Sequence, residues 1–210
     1  MHMFIHQIPS FIPLVFPKLI WEGPHHPDEP NVYFTFDDGP CPEITNFVLD
    51  ELNKYHAKAT FFCIGKNMLD FPDLTQQIIQ SGHSIGNHTM HHGNAWKMDE
   101  NAYLDQIQKC EEVIHRFGIQ SIGFRPPYGR LRLSFYQKTK AYKIIMWSIL
   151  TGDYNVRLDP QHVISSCKKA LKPGSILVFH DSMKAFPLLK IVLPELLDYC
   201  NQQGLKPISL

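Results

Sequence analysis

The sequence predicts an α/β fold of barrel-like form, and three observations carry that expectation. Short apolar runs rich in β-branched and aromatic residues alternate with longer segments of helical period, the pattern of repeated strand-helix units around a parallel sheet. Clusters of polar side chains fall at the ends of several of those runs, and in parallel barrels such strand ends converge on one mouth. No linker of changed composition divides the 210 residues, a length suited to one substantial core.

Strands are expected at 31–37, 59–65, 83–87, 120–125, 142–149, 174–180 and 205–210, about seven in all. After the first, residues 42–56 set Ile44, Phe47, Val48, Glu51 and Tyr55 at helical spacing. A helix over 99–117 opens on Asp99, whose carboxylate can accept from the unpaired N–H groups of a first turn, and ends at Gly118. Another starts at Asp159-Pro160, a cap followed by a residue whose φ suits the first helical position, and stops at Pro173-Gly174. Residues 1–30 are expected to form an extended arm packed on a single domain of residues 31–210.

Twenty Lys and Arg balance twenty Asp and Glu. A chain without net charge has no global field to draw it to nucleic acid or an anionic membrane, so neither is expected as a partner. The five cysteines are odd in number, widely spaced and without a Cys-x-x-Cys pair, which speaks against a disulfide framework or a cysteine zinc site. Residues 11–20 are apolar, but Pro13 and Pro17 interrupt them and no basic residue precedes Lys18. That is neither a secretory signal nor a membrane span, and with reduced thiols it leads to a cytoplasmic expectation. Histidine stands out at 12 residues and directs attention to metal ligands.

The first constellation is Thr35-Phe36-Asp37-Asp38-Gly39-Pro40, two carboxylates at a strand end followed by a turn. Adjacent strand residues face opposite ways, so both can point inward only if the chain bends there, as Gly39 and Pro40 permit. Taken alone the block is equally good turn chemistry. The second is Asn87-His88-Thr89-Met90-His91-His92. On a helical turn, His88 and His92 at i and i+4 share a face and can reach one cation, with His91 a bystander. If Asp38 supplies a third ligand, two imidazoles and a carboxylate leave a position open for water, as catalysis requires.

Arg125-Pro126-Pro127-Tyr128-Gly129 delivers an arginine at a strand end and stiffens the loop beyond it. Arg125 can pair with a carboxylate in the mouth, and the Tyr128 N–H can serve an oxyanion. Asp153-Tyr154 follows the run ending at Leu150, and Val178-Phe179-His180-Asp181 closes the sixth strand. His83 and Asn87 are expected to brace the histidine loop and Thr89 to orient a ligand through its hydroxyl. Arg125, Arg130, Arg132, Lys138, Lys140 and Lys143, with no acid among them, read first as a solvated helix face, and second as a contact for an anionic part of a substrate.

At these residues the chain resembles the NodB-like polysaccharide deacetylases of carbohydrate esterase family 4, over roughly residues 31–210. The motifs that carry the likeness are the Thr35–Pro40 block, Ala59-Thr60-Phe61-Phe62, the run from Gly82 through His92, and Arg125–Gly129, in the family's order. The resemblance implies a distorted (β/α) barrel and a divalent metal held by Asp38, His88 and His92, most often zinc, with cobalt or nickel as substitutes. It also implies Asp37 as base oriented by Arg125, and His180 as acid supported by Asp153. Tyr154 stands where the family often has Trp, Leu150 where a further Asp is common, and Val178 where Leu usually lines the acetyl pocket. Those departures bear on substrate preference more than on reaction type.

The expected function is therefore a metal-dependent hydrolase that removes acetyl groups from N-acetylated sugars, either chito-oligosaccharide or peptidoglycan glycan. Cleavage of an amide needs a water nucleophile, a stabilised oxyanion and a proton for the amine, and these residues supply each. The alternatives are an O-acetyl esterase on a polysaccharide such as xylan, and a carbohydrate-binding barrel without turnover.

Overall fold

The computed structural model describes residues 6–25, 28–132, 134–135 and 142–210. In chain order its elements are α1 (Phe11–Val15), β1 (Asn31–Asp37), α2 (Pro42–Lys54), β2 (Thr60–Cys63), α3 (Gly65–Asp70), α4 (Pro72–Gln80), β3 (Ser84–Asn87) and α5 (Glu100–Arg116). There follow a 3₁₀ turn (Pro127–Gly129), β4 (Ile149–Leu150), α6 (Pro160–Ala170), β5 (Ile176–His180), α7 (Phe186–Gln203) and β6 (Lys206–Pro207). The sheet runs β3-β2-β1-β5-β4, its pairs are parallel, and β6 pairs with the start of β1.

β1 is central, and its burial explains why Val32 to Phe36 read as one apolar run broken only by Thr35. Alternation along the strand sends Phe34 and Phe36 toward the helices. There Phe36 stacks on Phe61 and Phe179 at 5.1 and 5.4 Å, within the main core that Val48, Leu52, Leu189, Leu193 and Leu196 complete. Thr35 and Asp37 take the opposite face. Asp37 is in register with Phe62 on one side and His180 on the other, and Thr35 with Val178. In a parallel sheet, residues in register point the same way, so the pairing alone sets Asp37 beside His180 at the sheet's carboxyl edge.

The strands expected at 120–125 and 142–149 are corrected by the structure. They survive as single bridges, Asn87 to Phe124 and Phe124 to Ile144, and regular pairing resumes only at Ile149–Leu150. On this side regular ladder pairing lapses, and the Arg125 side chain donates to the Ile145 and Met146 carbonyls. The expected helices over 42–56, 99–117 and from 160 are present, and Asp99 and Asp159 accept from N–H groups of the turns they cap. Helices α3, α4 and α7 have no counterpart in the expected elements; α7 contains Pro194 and buries Leu188, Leu189, Val192, Leu193, Leu196 and Leu197.

Residues 6–25 make bridges from Gln7 to Ile149, Ile20 to Ile145 and Glu22 to Ser175, interrupted by the helical turn α1. All five cysteines are free thiols, four of them buried. No described helix is long and apolar enough to cross a membrane.

The turn after Asp38 is held from below. The Asp181 carboxyl accepts a hydrogen bond from the Thr45 hydroxyl at 2.6 Å, and that hydroxyl accepts from the Cys41 N–H at 2.8 Å. A Cβ on Gly39 would lie 2.0 Å from Asp181 Oδ2. Since Asp181 is buried and hydrogen-bonded, it cannot swing aside. Gly39→Ala is expected to cost about 1–3 kcal/mol, read as a lower urea midpoint at constant slope; an unchanged midpoint would contradict this packing.

Candidate active site and metal centre

A cleft of about 600 Å³ opens at the carboxyl edge of the sheet, lined among others by Asp37, Asp38, His88, His92, Tyr128, Leu150, Tyr154, Val178 and His180. Ten side chains were expected to act together: Asp37, Asp38, His88, His92, Arg125, Tyr128, Asp153, Tyr154, Val178 and His180. Eight of them line the cleft, while Arg125 and Asp153 lie buried behind it.

Asp38, His88 and His92 each present one ligand atom, all within 4.8 Å of one another. Asp38 Oδ1 is 3.2 Å from His92 Nε2 and 3.7 Å from His88 Nε2. His88 Nδ1 donates to the Arg125 carbonyl at 2.8 Å, which fixes the tautomer and leaves Nε2 as a lone pair facing Asp38. Burial holds His88 below its ordinary pKa despite Asp37 and Asp38 nearby, which favours the neutral ring that metal ligation requires. Burial works to raise the Asp38 pKa, but the His92 contact and the charges of His180, His88 and His92 outweigh it and hold the carboxyl well below the usual range. Asp38 Oδ1 is buried and has no hydrogen-bond partner. A carboxylate oxygen without a hydrogen-bond partner, beside two imidazole nitrogens, is a donor set that fits a divalent cation.

The loop differs from the helical turn inferred from i, i+4 spacing. Residues 88–92 are irregular, with Thr89 and His92 in the left-handed region at φ 68° and 55°, and the two rings still come within 5.1 Å of each other. Hydrogen bonds hold that conformation. Asn87 Oδ1 accepts from the Thr89 N–H, its amide reaches Ile107 O and Glu111, and Thr89 Oγ1 accepts from the Gly93 N–H. Asn87 thus braces the loop, and the Thr89 hydroxyl accepts from the Gly93 N–H. His83 lies at the far end of β3, accepts from the Ala59 N–H and packs edge-on against Phe61, so it belongs to the core. His91 is exposed.

Arg125 is fully buried. Its guanidinium donates to Asp37 Oδ1 at 2.8 Å, Thr35 Oγ1 at 2.6 Å, Ile145 O at 3.2 Å and Met146 O at 2.9 Å, and lies 3.9 Å over the Phe62 ring. With Oδ1 so engaged, Asp37 Oδ2 is left toward His88 Nε2, at 4.0 Å. Thr35 had no expected role, and only the sheet register brings it to Arg125.

On the other wall, Asp153 accepts from both the His180 backbone N–H and ring Nδ1, at 2.8 and 2.7 Å. Burial opposes protonation of His180, but the Asp153 charge and hydrogen bond prevail, aided by Asp37 and Asp38, and lift its pKa to about 9. Tyr154 meets the His180 ring edge-on at 5.0 Å. Asp181, beside it, is pushed up to about 8 by burial first and by the charges of Asp38 and Asp37, against the Thr45 hydrogen bond. Sequence reasoning assigned Asp181 no role, since nothing in a His-Asp dipeptide shows that its second member turns under the Asp38 loop.

Tyr128 lies at φ 61° with its ring 4.6 Å from His92, and its N–H forms no hydrogen bond among the described residues. The basic stretch is no uniform helix face. Arg125 is buried, Arg130 lines the cleft and Arg132 donates to Ala95 O and Trp96 O; Lys138 and Lys140 lie outside the described residues.

Comparison with known proteins agrees with this geometry. The family model for polysaccharide deacetylase matches residues 25–147. A peptidoglycan-N-acetylglucosamine deacetylase of Bacillus cereus is 35% identical over 77% of this chain and 59% of its own length, so this chain spans under two thirds of that relative. A chitooligosaccharide deacetylase of Rhizobium leguminosarum bv. trifolii is 29% identical over 87% of this chain and 82% of its own. The crystal structure of the Bc1960 peptidoglycan N-acetylglucosamine deacetylase superposes with a TM-score of 0.85 at 29% identity, over 96% of this chain and 95% of that one. With a candidate metal-ligand triad in the cleft and these likenesses across most of its length, the chain belongs to the polysaccharide deacetylase family.

Proposed function

We propose that this chain hydrolyses the acetamide of N-acetylated glucosamine units in a glycan. One observation carries the reading: a candidate cation pocket with a carboxylate beside it faces, across a single cleft, a histidine poised to give up a proton. The activities named for the relatives support the same reaction class.

Asp38, His88 and His92 would hold the cation, zinc in preference to cobalt or nickel. A divalent ion held there would lower the pKa of water toward ~7 and would polarise the acetyl oxygen. Asp37 Oδ2, the oxygen free of Arg125, takes the proton of the attacking water. The unpaired Tyr128 N–H donates to the developing oxyanion, an interaction typically worth about 3–4 kcal/mol. His180 then delivers its proton to the departing amine while Asp153 keeps the ring in place. Val178, Leu150 and Tyr154 bound the space for the acetyl group.

Asp37→Asn and His180→Ala are each expected to lower kcat by about 10²–10⁴-fold with one metal per chain retained, whereas His88→Ala loses the metal. Activity kept in Asp37→Asn would remove the base assignment. The sign of the pH dependence follows from His180. Its pKa is raised from 6.5 to about 9, so the acid form and the stabilisation it brings are complete below 6.5 and are lost as pH rises through about 9. The alkaline limb of kcat/KM should lie near that value and move downward in Asp153→Asn; an unmoved limb contradicts the pairing. Acetate release from N-acetylated and O-acetylated oligosaccharides of equal length should favour the amide. Exclusive ester cleavage would overturn the reading, as would protein that neither binds zinc or cobalt nor releases acetate.

A further inference from the structure

Two cations stand at the rim of the cleft, and the chemistry proposed above uses neither. Arg130 and Lys184 both line it. Arg130 is held against aromatic rings, its guanidinium carbon 4.7 Å from the Trp96 ring centre and 5.3 Å from that of Tyr128. Lys184 Nζ lies 5.5 Å from the Tyr154 ring centre. Such contacts position a charge without neutralising it. Among the described residues neither cation has a carboxylate partner. The two carboxylates lining the cleft are engaged elsewhere, Asp37 by Arg125 and Asp38 by the histidines.

The two cations abut different parts of the reacting centre. Arg130 reaches it through Tyr128, which packs on His92; Lys184 reaches it through Tyr154, which packs on His180. The Arg130 side is built to keep its shape. Trp96 Nε1 donates to Leu131 O at 3.1 Å, and Arg132 donates to Ala95 O at 2.6 Å and Trp96 O at 3.3 Å, stitching the loop after the histidines to the loop after Arg125. A pair of unpaired cations around a neutral reacting unit is complementary to a polymer whose neutral N-acetylated sugars alternate with sugars bearing a carboxylate.

We infer that Arg130 and Lys184 form an anion-recognising rim that selects a glycan in which each N-acetylglucosamine is flanked by carboxylate-bearing sugars, the alternating pattern of peptidoglycan, over uniformly neutral chito-oligosaccharide. The inference rests on the deacetylase reading and narrows its substrate.

The test compares acetate release from two tetrasaccharides, one alternating N-acetylglucosamine with N-acetylmuramic acid and one of N-acetylglucosamine alone. For the zinc-loaded protein, kcat/KM is expected to favour the acidic glycan about tenfold at low salt, with the preference shrinking as screening increases. In the double variant Arg130→Gln, Lys184→Gln the ratio of the two should fall to near one. A ratio near one in the unaltered protein, a preference insensitive to salt, or a ratio unmoved by the double substitution would each overturn the proposal. Peptide-free glycan carries its carboxylate on the sugar's own ether chain and peptide-bearing glycan carries it on the peptide, so running both identifies the source of the anion.

Calorimetry with the same acidic tetrasaccharide separates this inference from the reading beneath it. If no acetate is released from either glycan, the deacetylase reading fails. Weaker binding in the double variant would still uphold the rim, and unchanged binding would refute it.

Discussion

Arg125 is the residue on which the rest of the site depends. Burying a guanidinium carries a desolvation cost of several kcal/mol unless it is paired and its remaining donors are satisfied. Burial pulls its pKa down, and the Asp37 charge and hydrogen bond oppose that shift. Its acceptors come from β1, through Thr35 and Asp37, and from the backbone at Ile145 and Met146, where no regular strand forms. The side chain thus does part of the work of missing ladder hydrogen bonds, and its carbonyl receives the His88 Nδ1–H. One buried ion pair ties the irregular side of the sheet, the proposed base and a proposed metal ligand together. No single member of that set can shift without the others.

The carboxyl edge of the sheet also concentrates backbone strain. Asp38, Thr89, His92 and Tyr128 are non-glycine residues with positive φ, from 55° to 80°, a conformation that costs of order 1–3 kcal/mol per residue. Asp38, His92 and Tyr128 line the cleft, and Thr89 lies in the loop between His88 and His92. The surrounding hydrogen bonds explain how the strain is sustained. Asn67 donates to the Asp38 carbonyl, Asn87 accepts from Thr89, and the Arg130 and Gly129 N–H groups close the turn around Tyr128. Preorganised loops of this kind keep the ligand atoms converged even though no regular element supports them.

Much of this was legible along the chain because strand-end chemistry is local. Asp37-Asp38, the paired histidines and the Arg-Pro-Pro-Tyr turn are recognisable from residue type and order, and Asp99 and Asp159 mark their helices by side chains that cap them. Helix α7 was not legible in the same way. Its buried residues recur at helical spacing, from Leu188 and Leu189 through Val192 and Leu193 to Leu196, Leu197 and Cys200, but Pro194 stands inside the run, and a proline there ordinarily ends or breaks a helix. The strands expected at 120–125 and 142–149 misled for the opposite reason. Their apolar character reflects burial, but they pair only through single bridges, and two of the carbonyls there accept from the Arg125 side chain instead.

What the sequence by itself determined is the inventory: a parallel α/β chain, the chemical groups for holding a cation and moving two protons, and their order at successive strand ends. What only the tertiary structure decided is which groups meet. Asp37 and His180 are 143 positions apart in the numbering, and the parallel register of β1 with β5 makes them neighbours. Asp181 under the Asp38 loop, Thr35 on Arg125, and Arg130 and Lys184 on one rim are likewise products of folding. Local pattern reports what a residue can do within a turn or two of its own backbone. Long-range pairing depends on how the whole core closes, and no short window of sequence contains that.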